Sequence, residues 1–157
     1  MTNVEKLVCR FITERTLAGY ISHKTGPGHN DFSEPRAYYY DPAQKGRIMW
    51  GKPVVVLAGR GTFSAANNFV SIMQYIPLCH IVGATTGGGS GMPFNSELPN
   101  GWGVRFSACP VLDAKGLPTE AGIDPSPGCA VGFDPHAAVN GVDTVLDFAI
   151  TLLTSGS

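Results

Sequence analysis

The stretch PVVVLAGRGTFSAANNFVSIMQYIPLCHIVG, residues 53–83, decides the fold. Residues 53–58 are apolar and rich in β-branched side chains, which is typical of a strand covered on both faces in a parallel sheet. Glycines break this strand at residues 59–62, and residues 64–75 then show the apolar spacing of a helix that ends before Pro77. Residues 79–83 have the composition of a second strand. This order of strand, tight turn, helix and strand predicts a βαβ crossover.

The remaining sequence predicts two more helices and four more strands around that unit. The predicted helices cover residues 3–14 and 142–153, and the predicted strands cover residues 17–23, 36–40, 94–98 and 103–112. We expect the strand at 36–40 at a sheet edge and the last two strands as an antiparallel pair about the turn at 99–101. Because the chain has no internal repeat or linker, residues 1–157 are predicted to form a single α/β domain. We expect a mixed, largely parallel sheet with flanking helices.

The composition excludes several classes of partner. The chain has 11 Lys+Arg and 12 Asp+Glu, so its formal net charge is −1 and no positive excess favours binding to nucleic acid. Charged residues make up 15% and hydrophobic residues 43%, a balance typical of a compact globular protein. No apolar run approaches the ~20 residues that a membrane helix needs. We therefore expect neither a nucleic-acid partner nor membrane insertion by this chain.

Neither the cysteines nor the histidines predict a metal or a cofactor. No CxxC, HxxxH or HExxH spacing occurs among them. Buried free thiols are the favoured interpretation of the cysteines, and a disulfide pair stays open as an alternative. These residues are Cys9, Cys79, Cys109, Cys129, His23, His29, His80 and His136.

Ser64 is the first candidate for chemistry because it stands at the junction of the predicted strand and helix. Ligand sites gather at the carboxyl ends of parallel strands, so a side chain there points into a crevice. The backbone N–H of Ala65, at the start of the helix, would be free to stabilise a developing oxyanion. A nucleophile is one interpretation of Ser64. The alternative is that Ser64 or Thr62 caps the helix, which serine and threonine do routinely.

The glycines of this turn also allow a nucleotide-binding interpretation. Gly59-x-Gly61-x-x-Ser64 is close to a dinucleotide fingerprint, but no acidic residue lies between Asp41 and Glu97 to hold a ribose. Nucleotide binding is therefore a weak alternative. The second glycine-rich loop, residues 87–91, lacks the lysine of a phosphate-binding loop. It is interpreted as backbone that approaches another segment closely, and a plain flexible turn is the alternative.

Three further features stay ambiguous on the sequence alone. Glu120 lies in a turn-rich segment, where a carboxylate is commonly only a surface group. His23 and His29 have the chemistry of general bases, although exposed loop positions explain them as well. The three tyrosines at 38–40 could bind a peptide by stacking or strand addition, or could pack an edge strand on the core.

Taken together, four motifs resemble the tail-specific, or C-terminal processing, serine peptidase family. The motifs are PVVVLxxxGTxSAxxxF at 53–69, IVGxTTGGG at 81–89, LPNG at 98–101 and ExGIxP at 120–125. The family includes the tricorn protease core and the retinoid-binding repeats, and the resemblance implies a crotonase/Clp-like α/β fold. It extends over nearly the whole chain, from about residue 3 to residue 153.

The resemblance implies a role for each matching residue. Ser64 matches the family nucleophile, the N–H of Ala65 would be one oxyanion donor, and Gly61, Gly88 and Gly89 fall in the oxyanion and substrate-binding segments. The common branch of the family has a lysine base 25 residues after the serine, where this chain has Gly89. The chain therefore looks like the tricorn-type branch, in which an upstream histidine is the base and a late glutamate, here Glu120, completes the constellation.

The resemblance also predicts the context of the chain. Residues 3–7 resemble the helix that follows the family's glycine loop, so we expect a C-terminal portion of a peptidase catalytic domain, incomplete at its N-terminus. Such a piece, without its base, is expected to be inactive. Ser126 occupies a position that is acidic in the family. Export to the periplasm or cell surface follows by analogy, and self-association through an exposed sheet edge is a further expectation.

Three functions remain as alternatives at this point. The first is hydrolysis of a peptide or protein substrate through an acyl-enzyme on Ser64. The second is a binding module of the same fold for peptides or apolar ligands. The third is a crotonase-like domain that binds coenzyme A, for which the turn offers no cation beyond Arg60.

Overall fold

A computed structural model of the protein describes residues 3–44 and 49–155. The helices in these ranges are α1 (Asn3–Val8), α2 (Ala65–Met73), α3 (Pro135–Val139) and α4 (Thr144–Ser155). The strands are β1 (Thr16–Ile21), β2 (Arg36–Tyr40), β3 (Val54–Ala58), β4 (Cys79–Gly83), β5 (Pro93–Glu97), β6 (Gly103–Ser107) and β7 (Val111–Leu112). The mixed α/β class predicted from the sequence is confirmed.

The βαβ unit forms as its hydrophobic pattern predicts. β3 and β4 pair in parallel, from Val54 opposite Cys79 to Ala58 opposite Gly83, and α2 is the connection between them. One face of the pair packs on α2 through the fully buried Ile81, and the other packs on α4 through the fully buried Val82. The prediction that β3 is covered on both faces holds in part. Its side chains pack towards both helices but are only half-buried, and Leu57 is 44% exposed.

The prediction of a largely parallel sheet is wrong for the described strands. They form three small sheets, β2-β1-β7, β3-β4 and β5-β6, and all pairs except β3-β4 are antiparallel. A parallel pair needs a long crossover, and α2 supplies one, whereas a short turn such as the one after Glu97 returns the chain in the antiparallel direction. The antiparallel pairing of β5 with β6 about that turn is confirmed, as is the edge position of β2 among the described strands.

Two predicted elements differ clearly from those in the structure. The first helix ends at Val8 rather than at residue 14, because the Arg10 carbonyl accepts a hydrogen bond from the Trp50 N–H at 2.8 Å instead of continuing the helix. The predicted strand at 103–112 divides into β6 and β7. Between them the N–H groups of Ala108 and Cys109 both bond to the Gly91 carbonyl, which turns the chain towards β1.

The cysteines are free thiols within the described residues, which supports the favoured interpretation over a disulfide. Cys9, Cys109 and Cys129 are buried, and Cys79 is half-buried. Burial raises the pKa of the Cys79 thiol to about 11, so this thiol stays protonated at neutral pH. Within ranges 3–44 and 49–155 no helix is long and apolar enough to cross a membrane.

Candidate active site

Ser64 occupies the turn between β3 and α2 in an uncommon backbone conformation. Its φ is 58° and its ψ is −120°, a region that costs a non-glycine residue on the order of 1–3 kcal/mol. The turn holds this conformation by a hydrogen bond from the Ser64 N–H to the Gly88 carbonyl at 2.8 Å. Strained strand-to-helix turns of this kind present a serine hydroxyl clear of the backbone.

The structure does not support a capping role for the hydroxyls of this turn. The Ser64 side chain makes no capping hydrogen bond, and the Thr62 Oγ1 accepts one from the Gly59 N–H at 3.2 Å instead. Among the described residues the Ala65 N–H has no acceptor, because it lies in the first turn of α2. The start of α2 thus carries a half-buried hydroxyl beside an available backbone donor.

The glycine-rich loop lies against this turn. The Gly87 N–H donates to the Thr62 carbonyl at 2.8 Å, and the Gly89 N–H donates to the Glu120 carbonyl at 3.2 Å. A Cβ on Gly88 would lie 1.9 Å from the Glu120 carbonyl oxygen, and a Cβ on Gly89 would lie 2.2 Å from the Phe63 ring. The loop is therefore backbone that approaches two segments closely, as one sequence interpretation held, rather than a plain flexible turn.

Glu120 is brought to the same cavity as Ser64. The cavity has a volume of about 570 Å³ and is lined by Ser64, Gly87, Gly89, Arg105, Ser107 and Glu120, among others. The Ser107 hydroxyl donates to Glu120 Oε1 at 2.8 Å, which orients the exposed carboxylate. A hydroxyl and an oriented carboxylate therefore line one cavity, and the residue after the hydroxyl carries a free backbone donor. Groups of these three kinds are used in acyl transfer.

Other predicted residues lie elsewhere. Gly61 is exposed in the turn and does not line the cavity. His23 Nδ1 lies 3.5 Å from the Cys109 sulfur, also outside the cavity. His29 lines a neighbouring cavity of about 580 Å³ that shares Phe106 and Ser107 with the first.

Two of the three tyrosines of β2 pack on the hydrophobic core, and the third is exposed. Tyr38 and Tyr40 pack against the core cluster, with ring centroids 5.9 Å apart. Burial, and secondarily the neighbouring Tyr40, raises the pKa of Tyr38 to about 12. Tyr39 is exposed, with the Arg15 guanidinium 5.0 Å from its ring centroid. Packing of an edge strand explains the motif.

The sequence did not point to three residues that the structure places at or behind the cavity. Arg105 and Ser107 both line it from β6. Their spacing of two puts them on one face of the strand, but nothing in the sequence indicated which face meets Ser64. Asn67 is fully buried in α2 and bonds to the segments around the cavity. The one sequence signal for Asn67 is that it is a polar residue in the middle of a predicted amphipathic helix.

The comparisons with known proteins show the family to which this chain belongs. Residues 8–126 match the model of peptidase family S41, and the chain belongs to that family. A crystal structure from Parabacteroides merdae ATCC 43184, of a protein provisionally described as a peptidase, is 48% identical with a TM-score of 0.88. The match covers 96% of this chain and 46% of that protein.

A more distant solved structure shares the fold, and a further sequence relative matches part of the chain. The photosystem II D1 C-terminal processing protease is 22% identical with a TM-score of 0.55, over 85% of this chain and 31% of its own. An uncharacterized protein of Chlamydia muridarum (strain MoPn / Nigg) is 27% identical over 93 residues, 59% of this chain and 14% of that protein. This chain thus spans less than half the length of each of these relatives.

Proposed function

We propose that this chain carries the nucleophile of a serine peptidase that hydrolyses peptide bonds through an acyl-enzyme on Ser64. The observation that carries the proposal is the Ser64 turn, with its φ of 58°, its uncapped hydroxyl and the adjacent Ala65 N–H, which has no acceptor among the described residues. Membership of peptidase family S41 supports the reaction class. A crotonase/Clp-like core and the tricorn-type branch are part of the same proposal.

The chemistry follows from these positions. As a base removes the hydroxyl proton, Ser64 Oγ forms a bond to the substrate carbonyl carbon. The oxyanion that results accepts a hydrogen bond from the Ala65 N–H. Collapse of this intermediate breaks the C–N bond, and the base returns its proton to the departing amine. Water then hydrolyses the ester and frees Ser64. Glu120, held by Ser107, would orient the base and stabilise the charge that the base acquires.

The base itself is proposed to come from elsewhere in a longer protein. Gly89 stands where the common branch has a lysine, and no histidine lines the Ser64 cavity among the described residues. By family resemblance the base is a histidine of an earlier segment, and a glycine loop from that segment would give a second oxyanion donor. We therefore propose that this chain, taken alone, is inactive because its serine stays protonated.

The substrate is proposed to be a peptide or protein, bound as an added strand near the cavity. Arg105 lines the cavity and forms no ion pair with any described residue, so it is available to a carboxylate on the substrate. By resemblance to tail-specific peptidases we also propose that the longer protein is exported to the periplasm or cell surface.

Self-association is proposed through β3. Among residues 3–44 and 49–155 this strand pairs only with β4, and an unpaired strand edge is a template for another chain. Light scattering coupled to size-exclusion chromatography tests this directly. A monomer at all concentrations would exclude it.

A binding module is the second candidate function, and one observation favours it. The neighbouring cavity of about 580 Å³ is lined by Phe32, Phe94 and Phe106, which suits an apolar side chain or ligand. In a peptidase this cavity would receive a substrate side chain. In a protein without activity it would be the binding site itself.

Hydrolysis of an unstructured peptide by the longer protein separates the two candidates. We expect turnover by the wild type and a loss of at least about 10³-fold in Ser64→Ala. Ser96→Ala is the matched control, because Ser96 is exposed on β5 and does not line the cavity. Peptide binding without turnover by the wild type would favour the binding module, and turnover by the isolated chain would overturn the proposed external base.

A further inference from the structure

Asn67 is fully buried in α2, three residues after Ser64, and its amide bonds to two other segments. Its Nδ2 donates to the Ser90 hydroxyl at 2.6 Å and to the Thr119 carbonyl at 3.0 Å. Its Oδ1 accepts a hydrogen bond from the Thr86 hydroxyl. One amide therefore ties the helix of Ser64 to the glycine-rich loop and to the residue before Glu120.

The direction of each hydrogen bond in this cluster is determined. The Thr119 carbonyl can only accept, so the amide nitrogen must face it and the amide oxygen must face Thr86. The Thr86 Oγ1 accepts from the Ile123 N–H at 2.7 Å, which leaves its own proton for Asn67. Each hydrogen bond that Asn67 makes therefore has only one possible direction.

The cluster lies directly behind the Ser64 cavity without lining it. Thr86 and Ser90 flank the loop residues Gly87 and Gly89, which do line the cavity. A shift of Asn67 would therefore move the loop and the Glu120 backbone relative to Ser64. Catalytic rates depend strongly on such shifts, since a misplacement of reacting groups by about 1 Å costs on the order of 10²-fold in rate.

We propose that Asn67 is a positioning residue, which sets the distance of the glycine-rich loop and Glu120 from Ser64 through Thr86, Ser90 and Thr119. The proposal rests on the proposed function for its catalytic consequence. Its structural part, the coupling of these three segments by one buried amide, stands on the hydrogen bonds alone. An apolar residue at position 67 would fill the same space but would leave Thr86, Ser90 and Thr119 without the hydrogen bonds that Asn67 makes to them.

The test compares two substitutions of Thr86 and one of Asn67 in the longer protein. Thr86→Ser keeps the hydroxyl, whereas Thr86→Val keeps the shape and removes it, and Asn67→Asp keeps the shape and removes both donors. Tyr75→Phe is a control that removes a half-buried hydrogen bond outside the Ser64 cavity, the bond of Tyr75 to Asp113 at 2.5 Å. All variants are first checked for folding by near-ultraviolet circular dichroism.

Two readouts are needed, labelling of Ser64 by a fluorophosphonate and amide hydrogen exchange of residues 85–91 and 119–123. In Thr86→Val and Asn67→Asp we expect the maximal labelling rate to fall at least about tenfold, with little change in the half-saturating probe concentration. We also expect hydrogen exchange to accelerate in both segments. Thr86→Ser is expected to keep the wild-type labelling rate and exchange, and Tyr75→Phe to leave the labelling rate and the exchange of residues 85–91 unchanged. Wild-type labelling rates in folded Thr86→Val and Asn67→Asp would overturn the proposal.

The same experiment separates this proposal from the proposed function. If the wild type is not labelled at all, the peptidase function fails. Faster exchange in Asn67→Asp would then still support a buried amide that holds the loop. Unchanged exchange in that variant would overturn the positioning role whatever the labelling result.

Discussion

Replacing Gly88 by alanine should move Glu120 away from the Ser64 turn without mutating either Glu120 or Ser64. Gly88 has a φ of 74°, and an added Cβ would lie 1.9 Å from the Glu120 carbonyl oxygen and 2.8 Å from its carbon. Real Cβ contacts are essentially never closer than 3.0 Å, so the Glu120 backbone must retreat by about 1 Å. That retreat also lengthens the hydrogen bond from the Gly89 N–H to Glu120.

The matched control is Gly116→Ala. Gly116 has a φ of 80°, but no atom of the described residues lies within 4 Å of an added Cβ. Both variants therefore carry a backbone strain of about 1–2 kcal/mol, and only Gly88→Ala also has the steric clash. We expect urea unfolding to show an extra loss of about 1–3 kcal/mol in Gly88→Ala over Gly116→Ala. In the longer protein, peptide turnover should fall on the order of 10²-fold in Gly88→Ala alone. Equal stability and equal turnover in the two variants would refute the account of the loop.

Three further predictions concern the cavity and the thiol. Ser107→Ala removes the hydrogen bond to Glu120 Oε1 and should lower kcat about tenfold, measured by peptide turnover, while Ser96→Ala should not. Arg105→Gln should raise KM at least about fivefold for peptides that carry a carboxylate and leave the KM of neutral peptides unchanged, measured with a matched peptide pair. The pKa of Cys79 is about 11 in the folded chain against a reference value of 9.0. The contribution of this thiol to the free energy of unfolding should therefore be complete below about pH 9 and be lost as the pH rises through about 11. Urea unfolding across that range checks this, and Cys79→Ala should show a smaller decline.

The sequence predicted the elements that local pattern determines. The apolar run at 54–58, the helical spacing after Ser64 and the break before Pro77 are each visible within a few residues, and the structure places β3, α2 and β4 there. The helix α3 also had a local signal that the prediction missed. Asp134 caps it by accepting from the His136 N–H at 2.8 Å, and Pro135 occupies its first turn.

What the sequence could not predict depends on contacts between distant segments. The end of α1 at Val8 depends on Trp50, and the pairing of β7 depends on β1 far earlier in the chain. The approach of Glu120 to Ser64 depends on how closely Gly88 meets the Glu120 carbonyl, a distance that no spacing encodes. Family resemblance pointed to Ser64 and Glu120 as partners. It gave no sign of Ser107, Arg105 or Asn67.

The central claim is that Ser64 is a nucleophile, and an active-site label tests it most directly. The longer protein, its Ser64→Ala variant and this chain alone would each be treated with a fluorophosphonate, and the adduct mapped by mass spectrometry. The account predicts a single adduct on Ser64 in the longer protein and none in the other two samples. A folded longer protein that takes no label, or that is labelled on a different serine, would contradict it.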